Sequence, residues 1–330
     1  MESSSERLKF KVVEKHIEDM IQKGQLKNGD QVPSINEILQ QQSIARKTIQ
    51  KAYLDLVKRG ILVSVPRKGY FVTSTNVELQ HNVFLLFDNF TSYKQTLFHA
   101  IRDAFGEKAN LNLHFHYFNP SVFERTIKDN IGKYTSYVVL PCSEKADNAV
   151  LGKIPCDSLF LLVRRPEGTC NFSGVFQDFE NDIEKSLRST GNLMWKYSCL
   201  NLLFHDNFTV PPAELLKGFK HFCEDMKMEY KVCCGPFSGS LKKGEAYIVI
   251  DENDLKNILL EARRMSLNPG KDIGIISYND TPLKEVVSNS GISVISTDFI
   301  LMGKTIVDMI LSKNYKAINN PCRFIDRGSF

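Results

Sequence analysis

The sequence has few of the features that mark disulfide-linked or zinc-stabilised proteins. All eight cysteines lie beyond residue 140, no two of them have the Cys-x-x-Cys spacing, and the only close pair is Cys233 and Cys234. Zinc sites and small disulfide-linked domains depend on regular cysteine spacings. Neither is therefore expected, and we predict buried, reduced thiols.

Long apolar segments are also absent. Residues 1–11 are polar and charged with no apolar stretch behind them, and nowhere do eighteen apolar residues run together. A secretory signal or a membrane-spanning helix needs such a segment. We therefore expect a cytoplasmic protein with no membrane partner.

The motifs of several enzyme classes are missing as well. The sequence contains no G-x-S-x-G, Walker A or G-x-G-x-x-G pattern, which mark hydrolases with a nucleophile elbow, nucleotide hydrolysis and dinucleotide binding. His114 and His116 alternate on a predicted strand, but a zinc site needs further ligands and none is indicated nearby. We expect no enzyme activity, no cofactor and no metal.

Positive charge, in contrast, is concentrated near the N-terminus. Residues 1–75 contain 13 Lys and Arg against 8 Asp and Glu, whereas the remainder contains 29 against 30. Residues 44–68 hold seven basic residues and a single acid, Asp55. A lone lysine on a helix is usually only solvated, but a cluster of this density is typical of a phosphate-binding surface.

The first 75 residues contain three helical patterns and a hairpin pattern. Apolar residues recur at helical spacing from Phe10 to Met20, and a Ser-x-x-Glu capping box at Ser34–Glu37 opens a second helix. A third pattern runs from Ile49 to Gly60, and two β-prone runs then flank the basic turn Pro66–Gly69. These patterns predict a winged helix-turn-helix, whose third helix enters the major groove while the hairpin reaches the neighbouring backbone or minor groove.

This segment resembles the DNA-binding domain of the GntR family. The matching positions are Gly24, Leu26, Gly29, Asp30, Val32, Pro33, Ser34, Arg46, Thr48, Ile49, Ala52, Leu56, Gly60 and Gly69–Val72. The resemblance implies that the first residues of the third helix meet operator bases or phosphates, with Ser34 on a phosphate and Gly69 at the wing. Together with the charge cluster, it makes the candidate DNA-binding residues Ser34, Arg46, Lys47, Thr48, Gln50, Lys51, Arg67, Lys68 and Gly69.

Two positions depart from the family pattern. The chain has Asn36 where the family commonly has Arg, and Ala45 where the family has Ser or Thr before the arginine of the third helix. We therefore expect one charge contact and one helix-capping contact to be missing.

Beyond residue 81, β-prone and helical patterns alternate. Near-continuous apolar strands such as Val83–Phe87 and Leu200–Phe204 predict parallel sheets covered by helices on both faces. Two such units in tandem predict a ligand crevice beyond the carboxyl ends of the strands. The predicted organisation is a DNA-binding domain over residues 1–75, a polar linker over 76–81 and an effector domain over 82–330.

The loops at the predicted strand ends mix aromatic residues with Asp, Asn and Arg. Such a mixture suits a sugar, because the ring face stacks on an aromatic surface and the hydroxyls take paired hydrogen bonds. The candidate effector-binding residues are Asp88, Phe90, Tyr93, Arg164, Asp178, Phe179, His205, Asp251, Tyr278 and Asp280. For Asp178, Asp251 and Asp280, a helix cap or a loop hydrogen bond is an equally good explanation.

Residues 82–330 resemble the LacI-type, periplasmic-binding-protein-like effector domain. The local matches are Gly218-Phe219, Asp272–Leu283 and Met302-Gly303. The resemblance implies a two-lobed α/β fold of type I, and it places in the cleft Tyr93, Arg164, Asp178, Asp251 and Asp280.

The two resemblances imply an α+β winged helix-turn-helix domain followed by a two-lobed α/β domain in a bacterial transcription regulator. We expect a homodimeric repressor of a sugar-utilisation operon that binds operator double-stranded DNA. A neutral monosaccharide such as a pentose or deoxyhexose would release or retune it, with a uronate, sugar phosphate or nucleoside as the alternative effector.

Two other classes fit the sequence less well. A solute-binding protein of a transporter would have a secretion signal and no winged helix. A regulator fused to an aminotransferase-like enzyme would need a cofactor lysine in a much longer C-terminal domain.

Overall fold

The computed structural model describes residues 4–41, 44–78, 80–142, 147–166, 172–204, 213–287 and 291–330. The chain forms two compact units. The first comprises residues 1–89, 101–174 and 306–316, and the second comprises residues 90–100, 175–305 and 317–330. Each unit is therefore assembled from three separate stretches of the chain.

The N-terminal part of the first unit is a winged helix. Its elements are α1 (Ser4–Gln22), α2 (Ile35–Gln41), α3 (Arg46–Lys58), β1 (Leu62–Val65) and β2 (Gly69–Val72). The two strands pair antiparallel, with Val65 opposite Gly69 at the tip. The three helices and the hairpin predicted from the sequence are confirmed.

The winged helix has its own hydrophobic core. Val13 and Ile17 of α1, Ile38 of α2 and Ile49 and Leu56 of α3 are fully buried in it. These residues occupy the positions that helical periodicity predicts, because each helix turns one apolar stripe inward. The stripe on α3 leaves the opposite face of that helix in solvent.

The connection between the winged helix and the first sheet includes a buried anchor. Val77 is 9% exposed and packs into the winged-helix core, and its carbonyl accepts a hydrogen bond from Arg59 Nη2 at 3.0 Å. The next strand already begins at His81. The predicted polar linker over 76–81 therefore contains structured residues. The sequence did not indicate this, because Val77 is a single apolar residue outside any periodic pattern.

Strands and helices alternate through the remaining residues, as predicted. They are β3 (His81–Phe87), α4 (Ser92–Phe105), β4 (Ala109–Phe115), α5 (Pro120–Asn130), β5 (Ser136–Val139), α6 (Asn148–Leu151), β6 (Leu159–Val163), β7 (Gly174–Phe176), α7 (Phe179–Ser189), β8 (Cys199–Phe204), α8 (Ala213–Asp225), β9 (Glu229–Cys234), β10 (Glu245–Val249), α9 (Glu252–Arg264), β11 (Gly274–Tyr278), β12 (Ser293–Thr297), α10 (Phe299–Ser312), β13 (Ala317–Asn319) and β14 (Cys322–Ile325). None of the helices in the described ranges is long and apolar enough to cross a membrane.

The strands of this part form two sheets. Within the described residues, the first has the order β13-β7-β6-β5-β3-β4 and the second the order β14-β12-β11-β10-β8-β9. In the first sheet, β3 pairs parallel with β4 and β5, and β5 with β6. In the second, the pairs from β9 through β12 are parallel and β14 runs antiparallel to β12. The predicted parallel α/β architecture is confirmed.

Four strands, β7, β9, β12 and β13, were not predicted from the sequence. The strand β9 is half-exposed and alternates polar with apolar residues, and it lies at the edge of its sheet. The strand β7 has only three residues, and β12 is fully buried although two of its residues are serines and one is a threonine. Short or polar strands lack the apolar run on which the prediction depended.

The cysteines follow the prediction only in part. All seven described cysteines are free, and Cys199 and Cys223 are buried. Cys156, Cys233 and Cys234 are exposed, so the prediction of buried thiols is wrong for these three. The adjacent pair lies at the end of the edge strand β9, where side chains of both faces reach solvent.

Candidate functional site

The predicted capping box forms at the start of α2. Ser34 Oγ accepts a hydrogen bond from the Glu37 backbone N–H at 3.2 Å, and Glu37 Oε2 accepts one from the Ser34 N–H at 2.6 Å. These bonds lower the pKa of the exposed Glu37 carboxyl. The Tyr53 hydroxyl donates to the Pro33 carbonyl at 2.6 Å. Ser34, predicted to contact a phosphate, therefore lies at a rigid junction between α2 and α3.

The N-terminal half of α3 presents the predicted basic and polar residues. Arg46, Lys47 and Gln50 are exposed and Thr48 is half-buried. The first turn of α3 has no acidic residue, and Ala45 provides no side-chain cap, as expected from its departure from the family pattern. Uncapped N–H groups and the helix dipole both favour an anion at this end.

Two contacts organise this face of α3. Arg46 Nη1 lies 3.5 Å from Asn36 Oδ1, and among the described residues no carboxylate pairs with Arg46. Lys51 is exposed, and its Nζ lies 5.7 Å from the centroid of the Phe10 ring, a distance that allows a cation–π contact. The arginine side chain is therefore available for bidentate hydrogen bonds to an external acceptor.

The wing supplies further cations. Arg67 and Lys68 are exposed at the tip of the hairpin, and the turn is formed by Arg67 with φ +63° and Gly69 with φ +108°. The Lys68 N–H donates to the Val65 carbonyl at 3.0 Å. The Gln31 Nε2 donates to the Lys68 carbonyl at 2.7 Å, a contact that the sequence analysis did not identify.

One member of the predicted basic cluster has a different role. Arg59 Nη1 and Glu18 Oε1 are 2.6 Å apart, and the arginine side chain is only 16% exposed. With its bond to the Val77 carbonyl, Arg59 links α1, α3 and the connecting segment. Arg59, one of the seven basic residues of 44–68, therefore does not contribute to a phosphate-binding surface, because its guanidinium is held inside the domain.

A buried carboxyl lies beside this arginine. Glu14 is 9% exposed, and its side chain shares a hydrogen bond with Asp55 of α3. Burial, the bond with Asp55 and the Asp55 charge together raise the pKa of Glu14 to about 8, against the opposing effect of Arg59. An adjacent cavity of about 360 Å³ is lined by Lys11, Glu14, Lys15, Glu18, Asp19, Gln22 and Arg59. The α1–α3 contact therefore contains a buried carboxyl pair in which the protonated form of Glu14 is favoured.

We expect Glu14→Gln to abolish a pH dependence of the winged helix. The folded pKa is raised above its ordinary value of 4.5, so the proton stabilises the fold fully below that value, and the stabilisation is lost as pH rises through about 8. Glutamine keeps the hydrogen bond to Asp55 but carries no charge at any pH. Hydrogen exchange of the α1 and α3 amides, measured from pH 5 to 8.5, should show wild-type protection falling relative to the variant.

The matched control for this comparison is Glu124→Gln on α5. The Glu124 carboxylate is exposed and paired with Lys128, so the same chemical change occurs away from the winged helix. It should leave the pH dependence of α1 and α3 as in the wild type. Equal slopes for wild type and Glu14→Gln would contradict the assignment of a shared proton.

The second candidate region consists of strand-end residues in the second unit. Asp178 precedes α7, and its carboxylate accepts hydrogen bonds from the Asn181 backbone N–H at 3.4 Å and side chain at 2.8 Å. Asp251 precedes α9 and accepts from the Asn253 N–H at 2.8 Å. Both aspartates therefore cap helices, the structural alternative that the sequence left open.

Asp280 has a charged partner instead. Its Oδ1 and Oδ2 lie 2.9 and 2.7 Å from Arg327 Nη1 and Nη2 in a bidentate pair. Its backbone N–H donates to Ser296 Oγ at 2.9 Å. The pair fixes the loop after β11 against the segment after β14, so Asp280 reaches a ligand only with its remaining lone pairs.

The aromatic candidates occupy different environments. Tyr93 stacks on Phe299 with ring centroids 4.9 Å apart, whereas Phe90 is 48% exposed and meets Phe98 edge-on at 6.2 Å. Phe179 is the first residue of α7 and packs partly buried against the core of the second unit. Tyr278 is the last residue of β11 and only 4% exposed, so its prediction as a loop residue is wrong.

Several buried polar groups near the end of β11 lack partners in the described part of the chain. They are Ser277 Oγ, Tyr278 Oη and Asn279 Oδ1. Burial raises the pKa of Tyr278 well above its ordinary value, with Asp182 and Tyr93 among its neighbours. Burial also raises the pKa of Asp182 to about 6. Asp182 lies one helical turn after Asp178. It was not predicted as a site residue, although its position on the inner face of α7 indicates a buried carboxyl.

A cavity of about 350 Å³ opens in the same unit. Its lining residues are Thr96, Asp280, Thr281, Pro282, Glu285, Ser296, Thr297, Asp298, Phe299, Ile300, Arg323 and Ile325. Of the predicted effector residues it includes Asp280. The volume matches the lower end of small-molecule pockets.

Two further candidates lie in the first unit. Asp88 follows β3, and its carboxylate accepts a hydrogen bond from the Asn89 N–H at 2.6 Å. Arg164 follows β6. The charges of Asp88 and Arg164 both act on the Cys142 thiol. Burial and the nearby Asp147 carboxylate raise the pKa of this thiol to about 11. The structure therefore brings Asp88 and Arg164 to the same region. His205 lies outside the described residues.

The N-terminal domain belongs to a known type of helix-turn-helix. Residues 10–72 match the family model "Bacterial regulatory proteins, gntR family". The α/β part has the fold of LacI-family regulators and periplasmic binding proteins. The chain therefore joins a gntR-type winged helix to a LacI-like α/β fold.

A curated relative matches part of this chain. The "Probable fructoselysine utilization operon transcriptional repressor" of Escherichia coli strain K12 is 37% identical over 89 residues, which are 27% of this chain and 35% of that relative. This chain thus matches about a third of the relative's length.

Two solved structures resemble the α/β part. A LacI family regulator from Lactobacillus casei with bound glucose has a TM-score of 0.62 at 12% identity and covers 76% of this chain and 99% of its own. The lac repressor dimer bound to operator and the anti-inducer ONPF has a TM-score of 0.61 at 13% identity, covering 75% and 93%. At these identities the likeness shows the fold alone.

Proposed function

We propose that this protein is a transcription regulator that binds operator DNA through α3 and the wing. The observation that carries the proposal is the exposed basic surface formed by Arg46, Lys47 and Lys51 of α3 and Arg67 and Lys68 of the wing. A helix of this kind fits the major groove, and cations at a hairpin tip contact the adjacent phosphates. The gntR-type match over residues 10–72 supports this assignment.

The effector that we propose is a small neutral sugar, a pentose or deoxyhexose by preference. The LacI-like fold, seen with glucose in the Lactobacillus casei regulator, supports a sugar. So do the stacked Tyr93 and the buried polar groups around Tyr278, because sugars present hydroxyls that satisfy such groups. The similarity to a probable repressor of a fructoselysine utilization operon favours repression that the sugar relieves.

Coupling between the two activities would follow population shift. We infer a homodimer on an inverted-repeat operator, acting in the cytoplasm, in which the effector favours the DNA-incompetent state. Arg59 offers a physical connection, because it joins the end of α3 to Val77 in the connecting segment. The extent of DNA release is limited by the effector's differential affinity for the two states.

The direct test combines thermal stabilisation with DNA binding. The purified protein is screened against pentoses, hexoses, deoxyhexoses, uronates, sugar phosphates and nucleosides, and operator fragments are selected from random double-stranded DNA. A neutral sugar that raises the melting temperature and lowers operator affinity supports the whole proposal. A uronate or nucleoside hit would replace the sugar class, and failure to bind any selected DNA would contradict the regulator itself.

We expect Tyr278→Phe to separate effector binding from stability. Its hydroxyl is buried without a partner in the described residues, so removing it should leave the melting temperature of the ligand-free protein unchanged or slightly higher. If the hydroxyl contacts the effector, affinity for the sugar found in the screen should fall about 10-fold. Isothermal titration measures that loss.

The control is Tyr197→Phe in the same unit. Tyr197 is 5% exposed, and its hydroxyl also lacks a partner in the described part of the chain, but its ring packs on Phe330 away from the strand-end residues. This variant should keep the wild-type sugar affinity. Equal losses in both variants would indicate a general effect on the core and contradict a contact with Tyr278.

A further inference from the structure

The wing is a hairpin of two four-residue strands. A hairpin of this size is only marginally stable by itself in water. Its tip nevertheless carries Arg67 and Lys68, and a cation contributes more to DNA affinity when it is held close to a phosphate. The element that holds the tip therefore matters for DNA binding.

The backbone supports the wing from one side. The Gly29 N–H donates to the Val72 carbonyl at 2.8 Å, and the Val32 N–H donates to the Tyr70 carbonyl at 3.0 Å. Gln31 pairs with Phe71 as an isolated antiparallel bridge. This backbone pairing reaches no further along β2 than Tyr70, so it stops short of the tip.

The side chain of Gln31 continues the support. Its Nε2 donates to the Lys68 carbonyl at 2.7 Å, across 37 positions of sequence. A Cβ added to Gly69 would lie 3.1 Å from the same nitrogen. The glycine therefore gives the amide room to reach the turn, and its φ of +108° requires a residue without a Cβ.

We propose that Gln31 is a positioning residue for DNA binding, which fixes the wing tip so that Arg67 and Lys68 meet operator phosphates. The inference rests on the proposed regulator function and adds a residue outside the recognition helix. A neutral amide suits this role, because it donates to a carbonyl without placing a carboxylate beside the DNA. Gln31 itself is exposed, so its bond stabilises the tip more than the core.

The test is Gln31→Met, which keeps the length of the side chain and removes the donor. Operator affinity should fall about 2- to 10-fold, as expected for one net hydrogen bond, with the melting temperature unchanged. The slope of affinity against salt concentration should also decrease, because phosphate contacts set that slope. Hydrogen exchange at the Lys68 and Tyr70 amides should become faster. Gln25→Met, another exposed glutamine in the turn after α1, is the matched control.

A double-mutant cycle distinguishes positioning from a general effect. In an Arg67→Ala, Lys68→Ala background, Gln31→Met should cause no further loss of affinity, because the cations that it positions are gone. An equal loss in both backgrounds, or wild-type affinity of the single variant, would overturn the inference. If the wing variant itself binds normally, the inference also fails while DNA binding through α3 stands. A wild-type protein that binds no DNA would instead contradict the proposed function.

Discussion

Arg46→Ala is expected to weaken operator binding by about 10- to 100-fold, the range for losing one arginine that reads a base edge. Arg46 is the first residue of α3, and its guanidinium contacts only Asn36 Oδ1, at 3.5 Å, among the described side chains. Recognition helices place the residues of their first turns against base edges. Because Arg46 is exposed and unpaired with any described carboxylate, the melting temperature should not change.

The comparison that makes this result specific is Lys256→Ala. Lys256 is an exposed cation on α9 in the second unit, so the variant has the same loss of charge far from the winged helix. Operator affinity of this control should stay within about twofold of wild type. Fluorescence anisotropy at two salt concentrations measures both variants. Equal effects of the two substitutions would indicate that total charge, and not the α3 surface, governs DNA binding.

Gly218→Ala is expected to destabilise the second unit by about 3 kcal/mol. A Cβ at this position would lie 2.2 Å from the Glu180 carbonyl oxygen and 2.7 Å from Ile183 Cγ2. The first of these atoms is backbone, so the clash is relieved only by moving α7 and α8 apart. That movement would also disturb the ion pair of Lys217 with Glu180 between the two helices.

The size of this effect is checked by urea unfolding, with Gly239→Ala as the control. Gly239 has no atom within 4 Å of an added Cβ among the described residues, so its replacement should change stability by less than about 0.5 kcal/mol. Since α7 begins next to Asp178, Gly218→Ala should also weaken effector binding while the winged helix remains folded. Wild-type stability of Gly218→Ala would show that α7 and α8 accommodate the added methyl group without a clash.

The winged helix was predictable because its helices carry one apolar stripe each and the Ser34–Glu37 capping box marks the start of α2. The apolar stripe of α1 also contained evidence of a buried acid that the prediction did not use. Glu14 lies four residues after Phe10 and three before Ile17, on the inward face of α1. An acid at such a position predicts a buried carboxyl, but its partner Asp55 is 41 positions away and could not be identified from spacing. The contact between Gln31 and Lys68 could not be predicted either, because the two residues are 37 positions apart.

The candidate effector residues show a different limit. The carboxyl ends of parallel strands were correctly expected to carry polar residues, since those ends open into loops. An aspartate before a helix serves equally well as a cap or as a ligand, and Asp178 and Asp251 both cap. The Tyr278 hydroxyl, a buried group without a partner among the described residues, is inside a strand. The sequence pattern grouped that tyrosine with its loop neighbours, and it could not show that its hydroxyl lacks a partner among the described residues.

The assembly of each unit from three stretches of chain constrains the order of events during synthesis on the ribosome. The winged helix has a continuous sequence, and its buried anchor Val77 emerges early, so its core can close soon after it leaves the exit tunnel. The first unit as a whole must wait for residues 306–316, and the second for residues 317–330. Domains generally fold as units while the chain is made. The proposed DNA-binding surface therefore forms hundreds of residues before either unit is complete, and the two units reach completion almost together.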